Sequence, residues 1–332
     1  MKRLIRLNNA VSVLSYAAVG GRKEGEGPLG HLFDYIDEDD SFGKKTWEQS
    51  EAESQAMALN FALHKCKKTP MDLDVMLAGD LLNQCASSDY GLLDFDVPYL
   101  GIFGACSTSA EGLLIASLLL DGGHIDRAAV ISSSHFCSAE RQFRSPVEYG
   151  GQRAPTAQWT VTGAGAFILE RSEKSRARIS DVLVGKTVDM GINDPANMGA
   201  AMAPAAYDTL RAYFRESGTL PADYDLILTG DLGREGSAIL EDLCKNAGFD
   251  LSGRHSDCGL RIYDPEKQDV HAGGSGCGCA ASVLASEILP KIERGEYKNL
   301  LFMATGALMS ADAVKQGLTI PGIAHLVHIV YR

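Results

Sequence analysis

Cys106 is the residue whose type and surroundings most directly suggest chemistry in this 332-residue sequence. It lies in a turn of small residues, 104–112 (GACSTSAEG), just before an apolar run that predicts a helix. A thiol at a helix N-terminus faces the positive end of the helix dipole, which favours the thiolate. A buried structural cysteine is the alternative interpretation of the same residue. The turn therefore predicts a site, with Cys106 as its candidate nucleophile.

Two histidines and a second turn of small residues are further candidates. His135 follows a predicted strand and is a candidate for the wall of a pocket, with a structural histidine as the alternative. His271 opens the turn 271–282 (HAGGSGCGCAAS), which contains Gly274 and Ser275. The cysteines of this turn could join His271 as metal ligands, but the C-x-C pair lacks a partner pair of metal-ligand spacing. We therefore predict no metal site.

An internal repeat supplies the elements that must position these residues. Residues 74–82 (DVMLAGDLL) resemble 225–233 (DLILTGDLG), and each is a short apolar run ending in Gly-Asp. Residues 106–117 (CSTSAEGLLIAS) resemble 277–288 (CGCAASVLASEI) in the same way. Each half therefore reads strand, turn of small residues, helix, strand.

This order predicts an α/β fold with two pseudo-symmetric halves, residues 1–175 and 176–332. Strands that alternate with helices indicate crossover connections and a mainly parallel sheet covered by helices on both faces. The small residues that open the two repeated helices predict that these helices approach closely at a pseudo-twofold axis. The charged stretch 170–178 (ERSEKSRAR) lies between the halves.

Composition and charge exclude several classes of function. The formal net charge of −12 disfavours nucleic acid and anionic membrane surfaces as general partners. No apolar run approaches the roughly 18 residues that a membrane-spanning helix needs. The eight scattered cysteines are typical of a reducing cytosol, and no P-loop or dinucleotide fingerprint occurs. We expect a soluble, cytoplasmic protein without a nucleotide cofactor.

Three motifs on this duplicated chain resemble the thiolase and ketoacyl-synthase superfamily: the Cys106 turn, 160–169 (TVTGAGAFIL) and 271–282. The resemblance implies a layered αβαβα fold and a homodimer formed through a sheet edge. Condensing enzymes of this superfamily use a His after a second-half strand and an Asn in the later turn. Here residues 229–231 (TGD) follow that strand and Cys277 takes the Asn position. Acyl transfer by Cys106 therefore stays an alternative without an identified base.

The chain as a whole is similar to one family of that superfamily, the stage V sporulation protein AD family. Residues 194–204 (DPANMGAAMAP) and 273–279 (GGSGCGC) carry this resemblance. It implies binding of dipicolinic acid, or of its calcium chelate, for uptake into the developing spore. The implied partners are the membrane proteins of the SpoVA apparatus, and the implied location is the cytoplasmic side of the spore inner membrane. No cofactor is implied except calcium carried with the ligand, and a structural adaptor is a further alternative.

A flat aromatic dianion such as dipicolinate needs cationic partners and an apolar slot. Residues 138–159 (SAERQFRSPVEYGGQRAPTAQW) interleave arginines with aromatic side chains, and Arg144 and Arg153 are the candidate carboxylate partners. Surface ion pairs with neighbouring glutamates are the alternative. The candidate ligand-binding residues are thus Cys106, His135, Arg144, Arg153, His271, Gly274 and Ser275.

Overall fold

The fold is described by a computed structural model that covers residues 2–143 and 153–332. Arg144 lies outside the described residues. The strands are β1 (Leu4–Gly20), β2 (Tyr35–Ile36), β3 (Val75–Gly79), β4 (Tyr99–Gly101), β5 (Arg127–Ser134), β6 (Trp159–Thr160), β7 (Gly163–Arg171), β8 (Ala177–Leu183), β9 (Leu226–Thr229), β10 (His255–Asp257), β11 (Gly274–Ser275), β12 (Asn299–Ala307) and β13 (Gly322–Tyr331).

The helices differ widely in length, from single turns to 20 residues. They are α1 (Arg22–Gly25), α2 (Trp47–Lys65), α3 (Ala86–Gly91), α4 (Thr108–Asp121), α5 (Phe136–Phe143), α6 (Met198–Ser217), α7 (Gly233–Asn246), α8 (Cys258–Arg261), α9 (Cys277–Val283), α10 (Leu289–Glu293) and α11 (Ala311–Lys315). A π-helical turn, Leu284–Ile288, joins α9 to α10.

The main sheet is built from two halves with the same strand order. In the first half the order is β1-β7-β5-β3-β4, and in the second it is β8-β13-β12-β9-β10. The two halves also share their pattern of parallel and antiparallel pairs, and they meet where β1 pairs antiparallel with β8. The predicted α/β fold with two pseudo-symmetric halves is confirmed. The boundary near residue 175 falls between β7 and β8 and stays a prediction.

The expectation of a mainly parallel sheet is wrong, because each half combines two directions. β3, β4 and β5 are parallel, whereas β7 runs antiparallel to both β5 and β1. The second half repeats this arrangement, and β12 reaches β13 through a connection whose only helix is the short α11. Such a connection returns the chain at the same end of the sheet, which makes the two strands antiparallel.

The helices form three layers around the two halves of the sheet. α4 contacts strands of both halves and lies between them with α9, while α2 covers the first half and α6 and α7 cover the second. Close approach depends on small residues: a Cβ added to Gly165 would lie 2.6 Å from the Cβ of Ala281 on α9. This is the αβαβα layering that the resemblance implies. Within the described parts of the chain, no helix combines the length and apolar character needed to cross a membrane.

Candidate functional site

The turn before α4 fixes Cys106 through its own side chains. The Ser107 hydroxyl donates to the carbonyl of Gly104 at 2.7 Å, and the Thr108 hydroxyl donates to the carbonyl of Ala105 at 2.7 Å. Ala105 has a φ of +51°, a left-handed conformation that is uncommon for a residue with a Cβ. The turn is therefore strained, tightly bonded and almost inaccessible, with Cys106 only 5% exposed.

Ser275 and Asp231 face the thiol from the second half of the molecule. The sulfur of Cys106 lies 3.9 Å from the hydroxyl of Ser275, which donates to Asp231 Oδ2 at 2.8 Å. The same carboxylate oxygen accepts the backbone N–H of Gly276 at 2.9 Å, and Oδ1 accepts the hydroxyl of Thr305 at 2.9 Å. We call Cys106, Ser275, Asp231 and Thr305 the Cys106 cluster. Asp231, in the turn after β9, thus accepts hydrogen bonds from β11, from the residue that follows β11 and from β12.

The electrostatics of the Cys106 cluster oppose a nucleophilic thiolate. Burial, followed by the Asp231 carboxylate, raises the pKa of Cys106 well above its usual range. Burial also raises the pKa of Asp231, although Gly276 and Ser275 donate hydrogen bonds to it. The helix dipole favours a thiolate here, but the low dielectric and the neighbouring acid act against it. Among the described residues, no histidine hydrogen-bonds to the thiol or to Asp231.

The turn that contains Gly274 and Cys277 is anchored on both sides. The Cys277 thiol donates to the carbonyl of Ser133 on β5 at 2.8 Å, so this residue ties α9 to the first half. Gln158 donates to the carbonyl of Gly274 at 2.8 Å and to that of Asp231 at 2.8 Å. Gly274 thus contributes its backbone, and Cys277 does not supply the amide that an Asn would.

His135 holds the backbone together at the start of α5. Its Nε2 donates to the carbonyl of Asp40 at 2.9 Å, and its Nδ1 accepts the N–H of Cys137 at 3.1 Å. This pair of partners defines a neutral ring, and burial lowers the pKa of His135. Both ring nitrogens are therefore engaged away from Cys106.

A second group of side chains collects around Trp159 on β6. Lys23 Nζ lies 4.0 Å from the indole centroid and the guanidinium carbon of Arg153 lies 4.6 Å from it. Phe136 stacks on the ring at 3.8 Å with an interplanar angle of 7°. We call Lys23, Arg153, Trp159 and Phe136 the cation–indole cluster. Since Phe136 covers one face of the indole, the two cations share the face that is left.

Arg153 is buried and only partly satisfied. Its side chain is 5% exposed, and Nη2 donates to Oδ2 of Asp269 at 2.9 Å and to the backbone carbonyl of Asp269 at 3.0 Å. Nη1 is buried without a hydrogen-bond partner in the described chain. Lys23 makes no ion pair among the described residues, and burial together with the charge of Arg153 lowers its pKa.

His271 lies beside the cation–indole cluster rather than in the Cys106 cluster. Its Nδ1 donates to the carbonyl of Ala154 at 2.8 Å, and its Nε2 is 3.0 Å from Asp269 Oδ1. The structure thus brings Arg153 and His271 together on Asp269, and Cys106 together with Ser275. A parallel pair of short strands links the two groups, because Trp159 pairs with Gly274 and Thr160 with Ser275.

Sequence reasoning missed Asp231, Lys23 and Asp269 as site residues. Asp231 had a visible signal, since the Gly-Asp that ends β9 repeats the Gly-Asp that ends β3. Lys23 had none, because it is far along the chain from Arg153 and Trp159, and Asp269 had only its position two residues before the candidate His271.

The fold and the Cys106 cluster define a thiolase-like protein. Cerulenin-bound OleA from Xanthomonas campestris matches 98% of both chains with a TM-score of 0.62 at 15% identity. The 3-oxoacyl-[acyl-carrier-protein] synthase III from Aquifex aeolicus VF5 matches 97% of this chain and 100% of its own, with a TM-score of 0.58 at 15% identity. Likeness at this level of identity shows the fold alone.

Sequence comparison gives a narrower assignment. The family defined by stage V sporulation protein AD matches residues 1–330. The stage V sporulation protein AD of Bacillus subtilis (strain 168) is 46% identical over 315 residues, which cover 95% of this chain and 93% of that protein. The chain belongs to the stage V sporulation protein AD family.

Proposed function

We propose that this protein binds dipicolinic acid, or its calcium chelate, without catalysis, for uptake into the developing spore. The observation that carries this proposal is the pair of cations, Lys23 and Arg153, held on one indole ring with a buried guanidinium nitrogen that has no partner in the described chain. Membership of a sporulation family supports the biological setting.

The cation–indole cluster suits a small dicarboxylate. A ligand with two carboxylates can pair one with Arg153 and the other with Lys23, and each charge-assisted hydrogen bond contributes about 1.5–3 kcal/mol. In a chain of net charge −12, a local pair of cations is what an anionic ligand requires. Trp159 and Phe136, which stack on each other, make the surroundings of the two cations aromatic and apolar.

The Cys106 cluster favours binding or a structural role over acyl transfer. A condensing enzyme needs a base that activates the thiol, but the negative charge of the Asp231 carboxylate disfavours the thiolate. Asp231 would also repel a dicarboxylate, so we place the ligand at the cation–indole cluster. In this proposal the protein works with the membrane proteins of the SpoVA apparatus, peripherally at the spore inner membrane, as a homodimer.

Calorimetric titration of the full chain with dipicolinate tests the proposal. We expect saturable binding that benzoate does not reproduce, measured with and without calcium. Arg153→Gln and Lys23→Gln should each weaken binding about tenfold or more, because each removes a charged hydrogen-bond donor. Arg211→Gln is the matched control, since Arg211 is an exposed residue of α6.

Four results would contradict or redirect the proposal. Absence of saturable binding overturns it, and unchanged affinity in both variants removes the cluster as the carboxylate site. A mass increase on Cys106 after incubation with acyl thioesters, absent from Cys106→Ser, would support the acyltransferase alternative. Normal sporulation of a strain whose protein cannot bind dipicolinate would support the structural adaptor.

A further inference from the structure

Asp269 is an exposed acid that contacts Arg153 of the cation–indole cluster and His271 beside it. Its side chain is 73% exposed, whereas the side chain of Arg153 is 5% exposed. One oxygen accepts from Arg153 at 2.9 Å and the other lies 3.0 Å from His271 Nε2. A single surface carboxylate therefore bridges Arg153, which the ligand proposal needs, and its neighbour His271.

Separation of the Arg153–Asp269 ion pair affects its two side chains differently. Asp269 can turn into water, because an exposed carboxylate is readily solvated. Arg153 cannot do the same, since a buried guanidinium without an anion keeps an uncompensated charge. Another carboxylate that reached Arg153 would thus meet a competitor that water can solvate and a buried donor that needs an anion.

The charges around Trp159 also leave room for a ligand with two acidic groups. Lys23 and Arg153 are two cations, and Asp269 is the one carboxylate that pairs with Arg153 among the described residues. The contact between Asp269 and His271 is an ion pair only when His271 is protonated. A dicarboxylate that displaced Asp269 would bring one acidic group for Arg153 and a second for Lys23.

We infer that Asp269 is a placeholder carboxylate, which occupies the position of a ligand carboxylate on Arg153 and His271 and is displaced when a small dicarboxylate binds. This inference rests on the proposed function and adds a residue that sets its affinity. The fraction of molecules in which Asp269 has left Arg153 limits the apparent affinity of the ligand. Removing the charge of Asp269 should therefore tighten binding, which a purely structural role would not do.

Calorimetry with dipicolinate on the full chain tests this inference. Asp269→Asn keeps the size of the side chain and removes its charge, so we expect affinity to rise about threefold or more. Glu266→Gln removes an equal charge from an exposed position in the same segment and should leave affinity unchanged. Fluorescence of Trp159 in a Trp47→Phe background gives a second readout located at the cluster.

Each combination of results decides the matter. Tighter binding by Asp269→Asn alone supports the placeholder. Wild-type binding with unchanged or weaker binding by Asp269→Asn overturns the placeholder and leaves the proposed function standing. Equal tightening by Glu266→Gln would show a general charge effect and also overturns the placeholder. Absence of binding by both the unsubstituted protein and Asp269→Asn overturns both ideas.

Discussion

Asp231 places a buried carboxyl group beside Cys106, and its negative charge opposes formation of the thiolate. Three donors, from Ser275, Gly276 and Thr305, converge on this fully buried carboxyl group. These bonds tie the turn before α9 to β12, so Asp231 also joins elements of the second half. The same residue therefore stabilises the fold and keeps the neighbouring thiol protonated.

Alkylation of Cys106 by iodoacetamide should accordingly be slow. At about pH 8 we expect the rate to be at least about tenfold below that of N-acetylcysteine, because burial and Asp231 raise the pKa of Cys106. Asp231→Asn should increase this rate, read by mass spectrometry of the Cys106 peptide. Asp257→Asn is the control, since Asp257 is equally buried but raises the pKa of Cys258 instead. Rapid alkylation of Cys106 in the unsubstituted protein would contradict this assignment.

At the scale of elements, α1 connects the cation–indole cluster to the core. This four-residue helix places Lys23 beside Trp159 and buries Glu24 completely. Glu24 Oε1 accepts the N–H of Thr162 at 3.0 Å and the hydroxyl of Tyr263. The position of Lys23 thus depends on a carboxyl group that links three distant segments of the chain.

The free energy of unfolding should depend on pH through Glu24. Burial raises the pKa of Glu24 from its ordinary value of 4.5 to about 7. Between these values the folded chain keeps a proton that the unfolded chain releases, so stability falls as pH rises through this window. The loss amounts to about 3 kcal/mol at most.

Glu24→Gln isolates this contribution, because the amide oxygen can still accept both hydrogen bonds without titrating. In urea unfolding at about pH 5 and about pH 8, we expect the variant to lose less stability with rising pH than the unsubstituted protein. Glu26→Gln, an exposed neighbour on the same segment, should behave like the unsubstituted protein. An unchanged pH dependence in Glu24→Gln would show that Glu24 ionises as an ordinary carboxylate in the folded state.

The elements could be predicted from the sequence to the extent that local pattern determines them. The repeat of apolar runs and small-residue turns identified β3, β9, α4 and α9, because burial between layers imposes that pattern on both halves. Strand direction could not be predicted, since it depends on where a connection returns the chain. Residues that meet only through the tertiary fold were also missed, as with the Arg153–Asp269 contact across 116 positions.

At the scale of the whole molecule, the sheet ends in two short strands, β10 and β4. The bonds from β3 to the segment around β4 use Pro98 and Ile102. Because alternate residues of a strand bond to the same neighbour, Tyr99 and Gly101 direct their backbone groups to the open side. Exposed apolar side chains accompany this edge, with Leu100 at 47% and Phe103 at 47% exposure. An edge strand with unpaired backbone groups and exposed apolar side chains favours pairing with another strand.

We therefore predict that two copies of this chain associate through β4. Light scattering with size-exclusion chromatography should give twice the 35.5 kDa of a single chain. Leu100→Lys places a charge on the edge and should produce the single-chain mass, since a lysine on an edge strand opposes pairing. Leu260→Lys is the matched control: Leu260 is 44% exposed but lies on α8, so its variant should remain a dimer. A single-chain mass for the unsubstituted protein would contradict the dimer, and a dimer in Leu100→Lys would move the interface away from β4.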